Sequence, residues 1–155
     1  MCPDCRRLCV SAPADASRAE CSACGARDVT ENWSVYRRVV GGTMFWTRLI
    51  SRDCGACGRV SLPACELGWF QMAVARHLAR VGARSPDELA LMRIALGLSC
   101  ADLARELGIS PEITAQWETG QSPASPEALA AFHRLVIDRS AKCPLVPIGL
   151  RIVRG

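Results

Sequence analysis

The chain has 155 residues and a mass of 16.7 kDa, room for one ordinary domain or two small ones and too little for a large barrel enzyme. Half of its residues are hydrophobic, 22% are charged, the net charge is +4 and the mean hydropathy is +0.13, a balance that supports a packed core and excludes a disordered tail. No apolar run approaches the roughly 18 residues of a spanning helix, and the leading MCPDCRRLCV lacks the apolar stretch of a secretory leader, so a soluble cytoplasmic protein without a membrane partner is expected.

Ten cysteines are many for a chain of this length, and in a reducing compartment such a number points to metal ligation before disulfides. Cys2, Cys5, Cys9, Cys21, Cys24, Cys54, Cys57 and Cys65 all precede residue 66, and only Cys100 and Cys143 follow. Residues 1–31 alternate cysteine turns with small and polar residues and cannot build a core, so something other than packing must hold them. Residues 33–50, WSVYRRVVGGTMFWTRLI, are β-branched and aromatic and are broken once by Gly41-Gly42, the signal for two antiparallel strands joined by a two-residue turn. Leu67, Phe70, Val74, Leu78 and Val81 then recur at three- and four-residue spacing, which predicts an amphipathic helix ending at Gly82.

From Ser85 onward, SPDE, SCADLARELG, SPEITAQWETG and SPEALAAF each place a serine before a helix-forming first turn, predicting four helices. The tail PLVPIGLRIVRG carries two prolines and β-branched residues and reads as an arm or edge strand. The expected fold class is therefore α+β with two small domains: a cysteine-bearing β-hairpin domain over 1–66, a connecting helix and linker over 67–84, an all-α helix-turn-helix bundle over 85–140, and an arm over 141–155.

Three C-x-x-C turns are present: Cys2–Cys5, Cys21–Cys24 and Cys54–Cys57. Each offers two thiolates, with backbone amides able to hydrogen-bond the sulfurs, and a tetrahedral zinc needs four ligands. Two pairings compete. Cys21, Cys24, Cys54 and Cys57 would meet at the open end of the hairpin, whereas Cys2, Cys5, Cys21 and Cys24 have the short zinc-ribbon spacing. The first has the stronger physical reason, since the hairpin itself would bring its ligands together; a second ion, with Cys9 and Cys65 completing the set, is also compatible with the count. An all-cysteine zinc site leaves no open position for substrate, so the metal is expected to be structural. A thioredoxin-type dithiol would need a βαβ pattern that is lacking, which leaves a thiol redox sensor as a distant reading.

Helix Cys100–Leu107, the turn Gly108-Ile109-Ser110 and helix Pro111–Glu118 form a helix-turn-helix, with Ala104 small enough for close approach and Trp117 as the core anchor. Together with Arg93, Leu98-Ser99, Gly120 and Pro123, this stretch resembles the Xre-type (Cro/repressor-like) DNA-binding domain. The resemblance implies that the second helix enters the major groove with Glu112, Ile113, Ala115 and Gln116 toward the bases. Gln116 could pair with adenine and Glu112 could accept from cytosine. Ser99, Ser110, Thr119, Gln121 and Arg93 are the expected phosphate-side contacts. The stretch departs from such domains in charge, because residues 106–133 hold no Lys or Arg but include Glu106, Glu112, Glu118 and Glu127.

The order C-x-x-C, hairpin, C-x-x-C-G, helix and Xre-type domain is similar to that of the MqsA-type antitoxins over residues 21–135. That resemblance implies a zinc-containing repressor that dimerises through its C-terminal domain and binds its own operator in double-stranded DNA as a homodimer, with Zn2+ on Cys21, Cys24, Cys54 and Cys57. It also implies a small ribonuclease toxin bound through the N-terminal domain; the hairpin face bearing Trp33, Tyr36, Phe45 and Trp46 is a candidate contact surface, or else the small domain's own packing. The alternative is a zinc-dependent adaptor whose helix-turn-helix binds a protein or dimerises without reading DNA. No catalytic arrangement surrounds the lone His77 and His133, and no phosphate-cradling glycine loop is present, so no enzymatic activity is expected.

Overall fold

The computed structural model describes residues 20–142 and 149–154, so Cys2, Cys5, Cys9 and Cys143 lie outside the described residues. Strand β1 (Val29–Val40) and strand β2 (Thr43–Cys54) form the hairpin, in unbroken antiparallel register from Val40↔Thr43 to Val29↔Cys54. Gly41 and Gly42 lie at φ 55° and 77°, the left-handed conformation that a two-residue turn needs to match the twist of its strands. Each strand extends past the apolar run into polar residues at the cysteine end, where Asn32 donates to Asp53 and Arg52 pairs with Glu31 across the ladder.

Strand β2 is the spine of the sheet. One side pairs with β1; the other pairs with the short β3 (Val60–Ser61) at the cysteine end and with β4 (Arg151–Arg154), the predicted edge strand of the tail, at the turn end. In the gap between them, the Ile50 amide donates to the buried Glu66 carboxylate at 3.2 Å. Glu66 thus serves as the partner of a backbone group that would otherwise be unpaired on burial.

Helix α1 (Ala64–Val81) ends as expected at Gly82, in the left-handed conformation. Four helices follow, each preceded by its serine: α2 (Pro86–Ala95), α3 (Cys100–Leu107), α4 (Pro111–Thr119) and α5 (Pro126–Ala141). A sheet bearing the cysteines at the N-terminal side and a helical region at the C-terminal side give the α+β, two-domain architecture. Helix α1 lies between them, with Phe70, Val74 and Leu78 fully buried among Phe45 and Leu49 of β2, Met92 of α2, and Phe132 and Val136 of α5. One apolar cluster therefore runs from the turn end of the hairpin into the bundle.

The alternation along the hairpin corrects one expectation. Trp33, Tyr36, Phe45 and Trp46 do not form a common contact face. Phe45 is fully buried and Tyr36 packs edge-on against Phe70 at 4.9 Å, both on the inner side of the sheet. Trp33 lies on the opposite face and is 64% exposed. The physical reason is the two-residue period of a strand: positions 33 and 36, or 45 and 46, point to opposite faces.

Candidate metal centre and nucleic-acid interface

The hairpin places two cysteine turns side by side. Cys54 is the last residue of β2, and the turn that follows closes through the Gly58 amide donating to the Cys54 carbonyl at 2.8 Å. The first turn closes in the same way, Gly25 donating to the Cys21 carbonyl at 2.8 Å, and Gly55 donates to the Asp28 carbonyl at 2.9 Å to tie the two turns together. Gly25 and Gly58 both have φ near 70°, a conformation that follows each C-x-x-C pair and that a side chain would strain.

The four sulfurs all lie within 4.8 Å of one another, with Cys21 and Cys57 at 3.7 Å and Cys24 and Cys54 at 3.7 Å. Disulfide sulfurs would be about 2.05 Å apart. A tetrahedral ion with metal–sulfur bonds of about 2.3 Å would hold its sulfurs about 3.8 Å apart, so the donor set and its spacing fit a four-thiolate metal site. Amides of Ala23 and Cys24 hold the Cys21 thiol down to about 6. The Ala26 amide acts to lower Cys24, but the thiols of Cys57 and Cys54, desolvation and Cys21 outweigh it and push Cys24 up to about 12. Such opposed shifts express the crowding of four sulfurs that cannot all ionise together without a cation. Cys65, in α1, and Cys100, in α3, stand outside the cluster.

The helix-turn-helix is formed by α3, the left-handed turn at Gly108 (φ 68°), and α4. Ala104 and Leu103 are buried on α3, and Thr114 and Trp117 are buried on α4. The Thr114 hydroxyl is placed between the Cys100 and Pro111 carbonyls, at 3.1 and 2.8 Å, which ties α4 to the start of α3. With Thr114 and Trp117 facing inward, Glu112, Ile113, Ala115, Gln116 and Thr119 face outward along one side of α4, and Gln121 extends that surface. Glu112, Ile113, Ala115 and Gln116 are the positions expected to face the bases, and Thr119 and Gln121 the phosphates.

Other expected contacts are already engaged within the chain. Ser99 caps α3 in a reciprocal pair with Asp102, its hydroxyl donating to the carboxylate at 2.6 Å and accepting from the Asp102 amide at 3.1 Å. That cap holds the Asp102 carboxyl below its usual range, Ser99 acting through side chain and backbone and Arg105 adding to it. At the start of α4, the Glu112 carboxylate accepts from its own amide and from the Ser110 hydroxyl, and both hold it below the usual carboxylate range. Each helix N-terminus therefore carries an acid of its own.

Arg93 makes a two-pronged ion pair with Glu118, at 2.6 and 2.7 Å, and donates to the Leu98 carbonyl at 2.8 Å. The side chains of Arg93 and Glu118 are only 16% and 15% exposed. The pair raises the Arg93 pKa further above its ordinary value. Its place is thus a clamp between α2 and the end of α4, with Glu118, one of the acids of residues 106–133, as its partner. A second bridge, Arg139 to Glu106 at 2.7 Å, joins α5 to α3.

A helix-turn-helix bundle joined to a four-cysteine cluster fits the class of metal-binding, DNA-binding regulators. Residues 87–136, from the first turn of α2 to the middle of α5, match the family model described as helix-turn-helix domain. No curated protein and no solved structure matches the chain significantly. Among the described residues, no helix is long and apolar enough to cross a membrane.

Proposed function

We propose that this chain is a zinc-containing transcriptional repressor that binds its own operator as a homodimer, and that it serves as the antitoxin of a type II pair. The observation that carries the repressor reading is the outward face of α4: Gln116, Ile113 and Ala115 are exposed on a helix whose other side is fixed by buried Thr114 and Trp117. Gln116 is the leading base reader, able to pair with adenine through its amide. Glu112, also exposed on that face, is a second, able to accept from cytosine. Zinc on Cys21, Cys24, Cys54 and Cys57 holds the cysteine end of the hairpin, where apolar packing is thin.

One observation favours the adaptor as the second reading. Residues 106–133 supply no cation, and the N-termini of α3 and α4 face Asp102 and Glu112, so the surface that should meet phosphates is acidic. Footprinting of the zinc-loaded protein over the DNA upstream of its own gene separates the two. A protected inverted repeat supports the repressor; uniform or absent protection refutes it. The antitoxin role is tested by co-purifying the product of the adjacent gene and measuring whether this chain suppresses its ribonuclease activity. Failure to bind that product refutes the toxin partnership alone.

A further inference from the structure

The outer edge of β1 is a long backbone surface that neither the metal centre nor the helix-turn-helix uses. β1 runs 12 residues in unbroken register, about twice the usual strand length. Among the described residues no strand pairs with its other side. VTENWSVYRRVV contains no proline, no lysine and no bulge, and its charges, Glu31, Arg37 and Arg38, are of both signs, so they can be matched by a partner strand as well as repel one.

The groups facing this edge follow from the ladder. Ile50 sends its amide away from β1 to Glu66, and Ile50 stands opposite Trp33. In antiparallel strands the two members of such a pair both aim their backbone groups away from each other. Trp33, and with it Glu31, Val35 and Arg37 at two-residue steps, therefore present N–H and C=O to the open edge. Their side chains share the outer sheet face, where Trp33 and Val35 are 64% and 52% exposed and the Arg48 guanidinium lies 5.9 Å from the centre of the Trp33 ring.

We propose that this edge pairs with the same edge of a second copy, antiparallel about a two-fold axis at Ser34, to make one continuous sheet across the dimer. In that register Glu31 of each copy stands opposite Arg37 of the other, and Trp33 of each stands opposite Val35 of the other. Opposite charges and aromatic–β-branched pairs are the favourable cross-strand combinations, and the symmetry makes each of them twice. Centring the axis on Trp33 instead puts Glu31 opposite Val35, and centring it on Val35 puts Glu31 opposite Val39; both lose the charge pairing. A shift by one residue sets outward-facing amides against inward-facing ones and breaks the ladder. The charge pattern of the strand thus selects both the occupant and the register. Pairing extends from Glu31 to Arg37, because Arg38, Val39 and Val40 lie beside Asp87, Leu91 and Ile94 of α2. Glu31 already accepts from Arg52 at 3.2 Å, and in the dimer its carboxylate lies between two guanidinium groups.

This inference rests on the homodimer part of the repressor reading and places its interface on the hairpin edge, in place of the C-terminal domain that the resemblance implies. The test is sedimentation analysis of the metal-loaded full chain and of Glu31→Arg, Arg37→Glu, the double exchange and Val35→Pro. Each single charge change sets like charges opposite each other and should weaken dimerisation by about tenfold or more, whereas the double exchange restores the pairing to within about threefold of the original. Val35→Pro removes an outward N–H while leaving the β1–β2 ladder intact, and should give a monomer of unchanged helix content and metal content. A monomeric parent protein, or a dimer whose dissociation constant is the same in all variants, overturns the proposal. Dimers that follow the charge exchange but show no sequence-specific DNA binding would refute the repressor reading and leave this interface standing.

Discussion

The Arg93–Glu118 clamp sets the position of α4 and gives the sharpest test of the helical half. Replacing Arg93 with Met keeps an unbranched apolar stem and removes two charge-assisted hydrogen bonds to Glu118, at 2.6 and 2.7 Å, and a third to the Leu98 carbonyl at 2.8 Å. Hydrogen bonds to charged groups contribute about 1.5–3 kcal/mol each net of exchange with water, and breaking a fully buried pair costs about 3–5 kcal/mol. With both side chains about one-sixth exposed, solvent relieves part of that cost, and a loss of about 2–3 kcal/mol is expected. Glu118→Gln retains one acceptor and should cost about 1–2 kcal/mol. The double variant should lose less than the sum, with a coupling of about 1–2 kcal/mol in a double-mutant cycle measured by urea denaturation. Additive effects, or single losses under about 0.5 kcal/mol, would show that the clamp does not hold α4 and would remove the structural reason for the placement of its outward face.

Cys57→Ser should abolish stoichiometric metal binding and loosen the cysteine end of the hairpin, while α2 to α5 keep their far-UV circular dichroism; unchanged metal content and melting temperature would reject the ligand set. Asp102→Asn should destabilise the fold at neutral pH. Because the folded-state pKa of Asp102 is depressed, its contribution is fully present above the ordinary carboxylate range and is lost as pH falls through the depressed value, so the gap to the parent should close in acid. A gap that is constant with pH would contradict the cap. Phe132→Ala removes a fully buried ring between α5 and α1 and should cost about 3–5 kcal/mol in denaturant unfolding, against less than about 1 kcal/mol if that core were not shared.

Much of this arrangement is legible because local signals agree with the global one. Gly41-Gly42 marks the turn, and once the turn is placed, the lengths from it to Cys24 and Cys54 bring those two cysteine pairs to one end. The four Ser-initiated helices follow for the same reason, since each cap lies within one turn of the residues it serves. Interactions that span the chain are not legible in this way. Glu66 meets Ile50 only because β3 and β4 leave a gap, and Arg93 meets Glu118 across 25 residues of folded bundle, so a cation that sequence reading assigns to phosphate is held inside the molecule. The extension of β1 and β2 beyond the apolar run rests on cross-strand polar pairs such as Asn32–Asp53, which propensity does not count. Grouping the hairpin aromatics on one surface ignores the strand period, a signal that was available in the positions 33, 36, 45 and 46 themselves.

The central claim is that the outward face of α4 reads base sequence, despite an acidic setting. Fluorescence anisotropy of the zinc-loaded protein on its own upstream DNA and on a scrambled duplex, across a salt series and repeated with Gln116→Ala, tests it most directly. The account predicts tight binding to the upstream site, a shallow salt dependence for lack of cations on α4, and a selective loss of discrimination in the variant by about 1–3 kcal/mol. Equal, weak binding to both duplexes, unchanged by Gln116→Ala, would contradict it and leave a helix-turn-helix that serves a protein partner.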